Sequence, residues 1–306
     1  MNRRCLCGSG KAYEECCKGK INPFENSIIL KQHMSELNKS RNNYKKICMF
    51  PIQEECSQQM TGAHTISRQS ILSLICDKNE VCMPIIDGFK NKLELRRLGI
   101  KTQASIFHCF CSYHDSKLFK DIDSLDVDFI DKTNFLYAYR TFASTYYKVQ
   151  KEYDCYKKLE LKYDYNSRPD IVLYLTNAKT SLIVMDNIKQ IFEIGIINEK
   201  YNELKSVYID LDYKVNFSVS TCFNLMYDLM GNRIIHGEYD MPMVYIAIIP
   251  KEKSTKIIIS WLVQDDFLYK FFEKQVDMVP KKFLLKYLNN LLVLNCENMV
   301  YAIRRI

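Results

Sequence analysis

MPMVYIAIIPKEKSTKIIISWLV, Met241 to Val263, sets two apolar, β-branched runs on either side of a polar segment. Val244–Ile249 and Lys256–Val263 each have strand length, and KEKST between them supplies the reversal, so the stretch predicts a β-hairpin. Working outward, Ser206–Leu225 (SVYIDLDYKVNFSVSTCFNL) alternates and is β-branched, as a strand pair should be. Phe283–Ile303 reads as a helix followed by a closing strand. Residues 201–306 are therefore expected to form a C-terminal α+β domain, rich in β structure.

The rhythm upstream is different. In Asn134–Leu161, Phe135, Tyr139, Phe142, Tyr146, Val149 and Tyr153 step by three or four, the stripe of a packed helix. An aromatic stripe can also stack bases, but at this spacing core packing is the reading adopted. A second helix is expected over Ala178–Glu199, making residues 126–200 a helical region. No repeated unit occurs.

The 306 residues are 47% apolar and 26% charged, with nine Gly and seven Pro. That composition is globular and excludes a disordered or fibrous chain. No run of about 18 apolar residues suggests a membrane span. No apolar run follows the arginines of MNRRCLCGSG, so a secretory signal is not expected and the assigned compartment is the cytoplasm. Signatures such as G-x-S-x-G, H-E-x-x-H and the Gly-rich phosphate loop are absent. The net charge of +7 is uneven: residues 1–50 hold ten Lys/Arg and four Asp/Glu. This basic N-terminus is either a contact face for nucleic acid or a solvated arm.

Thirteen cysteines in a reducing compartment point to metal ligands and a few buried thiols rather than disulfides. Four of them, Cys5, Cys7, Cys16 and Cys17, crowd into RRCLCGSGKAYEECC with spacing C-x-C-x8-C-C. C-x-C puts two sulfurs on one tight turn. Gly8, Ser9 and Gly10 permit the reversal, and Lys11–Glu15 has room for a helical turn that returns Cys16 and Cys17. Zinc takes four such ligands tetrahedrally. A unit this small cannot bury enough apolar surface to fold alone, so metal binding would supply the folding free energy.

This stretch resembles the SEC-C motif, the zinc-binding tail of the SecA translocase ATPase that recurs in other bacterial proteins. The matching residues are Cys5, Cys7, Gly8, Ser9, Gly10, Lys11, Tyr13, Cys16 and Cys17, within residues 3–19. The resemblance implies one zinc on the four cysteines and an interaction module that can bind a protein partner. It implies no enzyme activity, and no ATPase motor follows it. Residues 1–22 are assigned to this knuckle and 23–46 to a helical linker, with Phe24–Lys46 showing roughly helical spacing.

Residues 47–125 are expected to form a second zinc module. Cys48 and Cys56 read as ligands on a hairpin. Cys111 and His114, spaced C-x2-H, stand at the start of a helix over Ser112–Ile122, where the positive end of the helix favours thiolate. That is the logic of a treble-clef site. Between the pairs lie GAHTIS, with His64, and a short helix over Ser70–Ile75. The segment also resembles the HNH endonuclease pattern, through Ala63-His64-Thr65-Ile66 and Phe110-Cys111-Ser112-Tyr113-His114-Asp115. That resemblance implies His64 as general base and His114 as ligand of a divalent ion, Mg²⁺ or Mn²⁺. The chain departs from the pattern in its spacing, in having Asp115 where a second histidine is usual, and in offering only Asn79 for the middle asparagine. The other reading is a closed Cys₃His or Cys₂His₂ site, with His64 or His114 as the fourth ligand and a structural role.

The remaining candidates are plainer. Cys76 and Cys82 read as small core residues or spare ligands, and Cys155, Cys222 and Cys296 as buried thiols. His33 and His108 have no partner at ligand spacing, apart from His108 adjoining Cys109, and His236, near Glu238, reads as a solvated loop residue. DIDSLDVDFID, Asp121 to Asp131, carries five aspartates and reads as an exposed acidic face, with a carboxylate metal site as the lesser reading.

The expected molecule is an α+β protein of several modules: an N-terminal zinc knuckle, a treble-clef-like zinc module, a helical middle and a C-terminal β-rich domain. Two zinc sites are expected. One functional reading is a metal-dependent, HNH-like endonuclease; by analogy, proteins joining such modules could serve in defence against phage. The other is a non-catalytic, zinc-stapled adaptor that binds a protein or nucleic acid. Substrate and oligomeric state are not legible.

Overall fold

The computed structural model describes residues 4–7, 9–18, 27–87, 92–124, 126–237 and 241–303. Arg3, Gly8, Phe24–Asn26, Leu125 and Glu238, all used in the sequence reading, lie outside them. The chain begins with β1 (Arg4–Cys5), α1 (Tyr13–Cys16), α2 (Ser27–Asn42) and β2 (Ala63–His64). It continues through α3 (Ser73–Ile75), β3 (Glu80–Asp87), β4 (Lys92–Gly99), β5 (Ile106–Phe107) and α4 (Ser112–Leu118). The long helices α5 (Asp131–Glu160) and α6 (Pro169–Ile197) enclose β6 (Tyr163–Asp164). The remainder is β7 (Leu204–Leu211), β8 (Phe217–Asn224), β9 (Met243–Pro250), β10 (Thr255–Leu262), α7 (Asp266–Met278), α8 (Lys281–Asn295) and β11 (Met299–Tyr301). The fold is mixed, α+β as expected, and no helix among the described residues is long and apolar enough to cross a membrane.

The hairpin read from Met241–Val263 is β9–β10, in register Ile257↔Ile248 and Ile259↔Ile246. Lys251 N–H donates to Ser254 O at 2.8 Å and closes its turn. It lies within a seven-stranded antiparallel sheet ordered β4-β3-β11-β8-β9-β10-β7. On one face Val207, Ile209, Ile246, Ile248, Ile257 and Ile259 pack with residues of α7 and α8, among them Tyr269, Phe272, Leu284 and Leu288. On the other, Ser220 Oγ meets Thr141 Oγ1 of α5 at 2.6 Å, and Tyr245 stands edge-on to Phe192 of α6. A sheet covered on both faces explains why β9 and β10 read as nearly unbroken apolar runs.

Several expectations are corrected. β7 and β8 do not pair with each other: β7 pairs with β10, and β8 lies between β9 and β11. The alternating burial along β7 marks a strand with one wet face at the sheet's edge, whereas β8 is largely buried. Cys48–Cys56 is not a hairpin; no strand forms there, and Cys56 N–H turns back onto Gln53 O at 3.0 Å. Pro51, which lacks an N–H, disfavours a ladder in that segment. The Ser70–Ile75 helix is a π-helical turn, Arg68–Leu72, running into α3. The Ser112–Ile122 helix divides into α4 and a 3₁₀ turn at Lys120–Ile122. α6 starts at Pro169, well before Ala178, because proline suits the first helical position and Asp170 adds negative charge to the first turn. Strands β3 and β4 join the sheet through β11, in register Cys82↔Tyr301.

The chain forms two compact units, Met1–Lys46 with Tyr146–Asn187, and Ile47–Thr145 with Ile188–Ile306. In the first, Leu6 and Leu37 bury against Cys155, Leu159, Tyr163, Tyr165, Ile171 and Leu175. β1 pairs in parallel with β6, and Arg41 forms a two-pronged ion pair with Glu152 at 2.8 and 2.6 Å. His33, solitary in the sequence, is buried and bonded to Tyr165 Oη at 2.9 Å. The second unit holds the sheet.

One glycine of the second unit is required by contact. A Cβ on Gly195 would stand 2.7 Å from Phe135 Cζ and 2.8 Å from the Lys200 carbonyl oxygen. Gly195→Ala is therefore expected to destabilise the fold by about 1–3 kcal/mol. Thermal denaturation followed by circular dichroism checks this; an unchanged melting temperature would refute it.

Candidate metal centres and functional site

The N-terminal cysteines converge as their spacing suggests. Cys5 ends β1, Cys7 follows on the turn, and α1 returns Cys16 and Cys17. Their four sulfurs lie within 4.8 Å of one another and could hold a metal ion. Cys7 and Cys16 Sγ are 3.1 Å apart, and Ser9 Oγ is 2.9 Å from Cys16 Sγ. Gly10 adopts φ +75°, the left-handed conformation that the reversal needs. Burial pushes the Cys5 and Cys17 thiols up. For Cys7, burial is outweighed by hydrogen bonds from Ser9 and Cys16, which bring its thiol down to about 6. Leu6, between the first two sulfurs in sequence, is 2% exposed and plugs the first unit's core. The knuckle is thus built into that unit.

The second group joins Cys48, Cys56, Cys111 and His114, again within 4.8 Å. Cys111 is the N-cap of α4 and accepts from His114 N–H at 3.4 Å. The first turn then aims His114 Nδ1 between two sulfurs, 3.3 Å from Cys48 and 3.4 Å from Cys111. Zinc–sulfur bonds of about 2.3 Å give tetrahedral edges of about 3.8 Å, so the cluster has the dimensions of such a site. Phe50 stacks on the His114 ring at 4.0 Å and fixes its plane. Burial drives Cys48 up to about 12, while Cys111, against its burial, is drawn down to about 7 by Ser57, the His114 N–H and Cys56. Both donor sets, four cysteines and three cysteines with one imidazole, fit zinc.

α4 also borders a cavity of about 760 Å³ in the same unit. β2 and β5 pair antiparallel, His64↔Ile106, and α4 follows, so this wall is a small ββα unit. His64 and His108 line the cavity with Asp115, Asp123, Arg68, Lys101, Lys120 and Arg140. Four cationic side chains against two carboxylates make it basic. His64 Nε2–H donates to Ile100 O at 2.7 Å, which leaves Nδ1 as its proton acceptor. Burial lowers the His64 pKa and keeps the ring neutral at pH 7, with the Ile100 bond opposing. Asp115 Oδ1 is buried without a hydrogen-bond partner, and burial pushes that carboxyl up. Arg140, 2% exposed, clasps Asp123 at 2.8 and 2.9 Å and lies over the Phe119 ring at 4.1 Å. Burial works against Asp123, but Arg140 holds it below the usual carboxylate range.

The structure thus separates residues that the sequence reading had joined. His114 stands with the cysteines, whereas His64 is in the cavity and outside both metal-capable groups. Asn79 sits in a tight turn at φ +63° rather than in the cavity. Asp121 pairs with Lys132 and Asp123 with Arg140, so the aspartate run forms no metal-capable group among the described residues. Cys76, Cys82, Cys109, Cys155, Cys222 and Cys296 also stand outside both groups. His236 is half-buried, with Nε2 bonded to Leu225 O at 3.0 Å, rather than solvated. The cavity's cationic residues were missed. Arg140 alone left a signal, a charge inside the apolar stretch NFLYAYRTFAS.

No protein-family model matches the chain, and comparison with curated proteins and with solved structures finds no match.

Proposed function

We propose that the protein is a zinc-stapled, HNH-like phosphodiesterase acting on nucleic acid at the cavity beside α4. The observation that carries this reading is the ββα unit, which brings a neutral His64 and Asp115, whose Oδ1 has no hydrogen-bond partner, to one basic cavity. Cys5, Cys7, Cys16 and Cys17 are assigned to one zinc, and Cys48, Cys56, Cys111 and His114 to another. In hydrolysis, His64 Nδ1 takes a proton from water, the water oxygen bonds to phosphorus, and the P–O bond to the leaving oxygen breaks; that oxygen is protonated from solvent. Arg68, Lys101 and Lys120 face the phosphate's charge. Magnesium is commonly held by one or two carboxylates with waters. Asp115 fits that role, since its buried oxygen lacks a partner, whereas Asp123 is engaged by Arg140. Such an ion, when bound, would stabilise charge on the phosphate.

The test compares wild type with His64→Ala on circular single-stranded DNA, supercoiled plasmid and RNA in Mg²⁺ or Mn²⁺, with metal content measured by mass spectrometry. The variant is expected to lose cleavage by about 10²–10⁴-fold and to retain its metal. Absence of cleavage by either protein would leave the adaptor reading, in which the N-terminal knuckle or the basic arm binds a partner.

A further inference from the structure

A second cleft of about 490 Å³ opens beside the basic cavity, and Ser124 lines both. Its character is different. Ile71, Leu74, Val127, Ile249 and Pro250 supply an apolar floor. Its charges cancel, Lys251 and Lys253 against Asp126 and Glu252. Ser70 also lines it, is 5% exposed, and its Oγ has no hydrogen-bond partner. A buried hydroxyl left unpaired is destabilising, so it calls for a ligand or solvent atom.

Resting on the cleavage reading above, we propose that this cleft is a nucleobase subsite and that the substrate is single-stranded nucleic acid. Two neighbouring cavities of opposite character match the two halves of a nucleotide. The basic cavity suits the phosphate. The neutral cleft suits a flat, uncharged heterocycle, with apolar faces for the floor and a polar edge for Ser70 Oγ. Its volume falls in the range of small-ligand sites. A base paired and stacked in a duplex cannot enter it; an unstacked base can.

The test reads binding without cleavage. A fluorescein-labelled strand of about a dozen nucleotides, DNA or RNA, and its duplex are titrated by anisotropy with no divalent ion present. The proteins are wild type, Ser70→Ala and Leu74→Glu. The single strand is expected to bind about tenfold or more tighter than the duplex. Leu74→Glu is expected to lose about tenfold in single-strand affinity, and Ser70→Ala a smaller factor, with duplex affinity unchanged in both. Ser70→Ala decides the matter if Leu74→Glu fails to fold. Equal affinity for strand and duplex, or wild-type affinity in the folded variants, overturns the subsite. The cleavage reading fails separately: tight, variant-sensitive strand binding by a protein that cuts nothing would remove hydrolysis and leave the subsite.

Discussion

Cys111→Ser is expected to carry one metal ion fewer than wild type and to melt at a markedly lower temperature. Cys111 has two duties. It caps α4, accepting from His114 N–H, and its sulfur belongs to the group of Cys48, Cys56 and His114. Serine is itself a favoured N-cap, so the substitution spares the cap and removes the thiolate. The segment holding Cys48 and Cys56 forms no strand, and its few ladder bonds to Cys109, Phe110 and Ser112 secure it weakly. Metal binding would then be a principal tie, and structural zinc contributes on the order of 10 kcal/mol or more in small zinc modules. Cys109→Ser is the control. Cys109 is fully buried two residues away, but its sulfur is near Ala143 O and outside both groups. Metal analysis should show an unchanged complement for Cys109→Ser and a reduced one for Cys111→Ser. An undiminished complement in Cys111→Ser would remove that residue from the ligand set.

Asp123→Asn is expected to destabilise the protein by about 3 kcal/mol, the lower end of the range for breaking a buried pair, because Asp123 is partly exposed. The cost arises at Arg140, whose side chain is 2% exposed against 34% for its partner. Amidation leaves a guanidinium buried without its counter-charge. The pH dependence has a definite sign. Arg140 holds the folded-state pKa of Asp123 below its unfolded value, despite opposing burial. The pair's contribution is therefore complete above the unfolded pKa of about 3.9 and is lost as pH falls through the lower folded value. Denaturant titrations from neutral pH into that range should show wild type losing stability more steeply than the variant. Parallel acid limbs would dissociate Asp123 from acid unfolding.

The parts legible in the sequence have local causes. Cys5, Cys7, Cys16 and Cys17 lie close enough along the chain that spacing nearly dictates geometry. Cys111 and His114 share one helical turn, so their convergence was also readable. The β9–β10 hairpin followed from two apolar runs and a polar turn. The cavity depended on distant segments. Arg68 follows β2, Lys101 follows β4, Lys120 follows α4 and Arg140 lies inside α5. No short-range pattern links four cations so far apart in the chain.

By itself, then, the sequence determined the α+β class, the N-terminal set of metal-capable cysteines and the main hairpin, since each rests on interactions within a turn, a strand or one reversal. Tertiary structure alone decided that His114 joins the cysteines while His64 and Asp115 face a basic cavity. It also decided that β7 and β8 separate, and that β3 and β4 extend the C-terminal sheet. The physical reason is that these outcomes depend on which apolar faces bury one another across long loops. Those faces are set by the whole sheet and the helices covering it, and neighbours in sequence do not encode that choice.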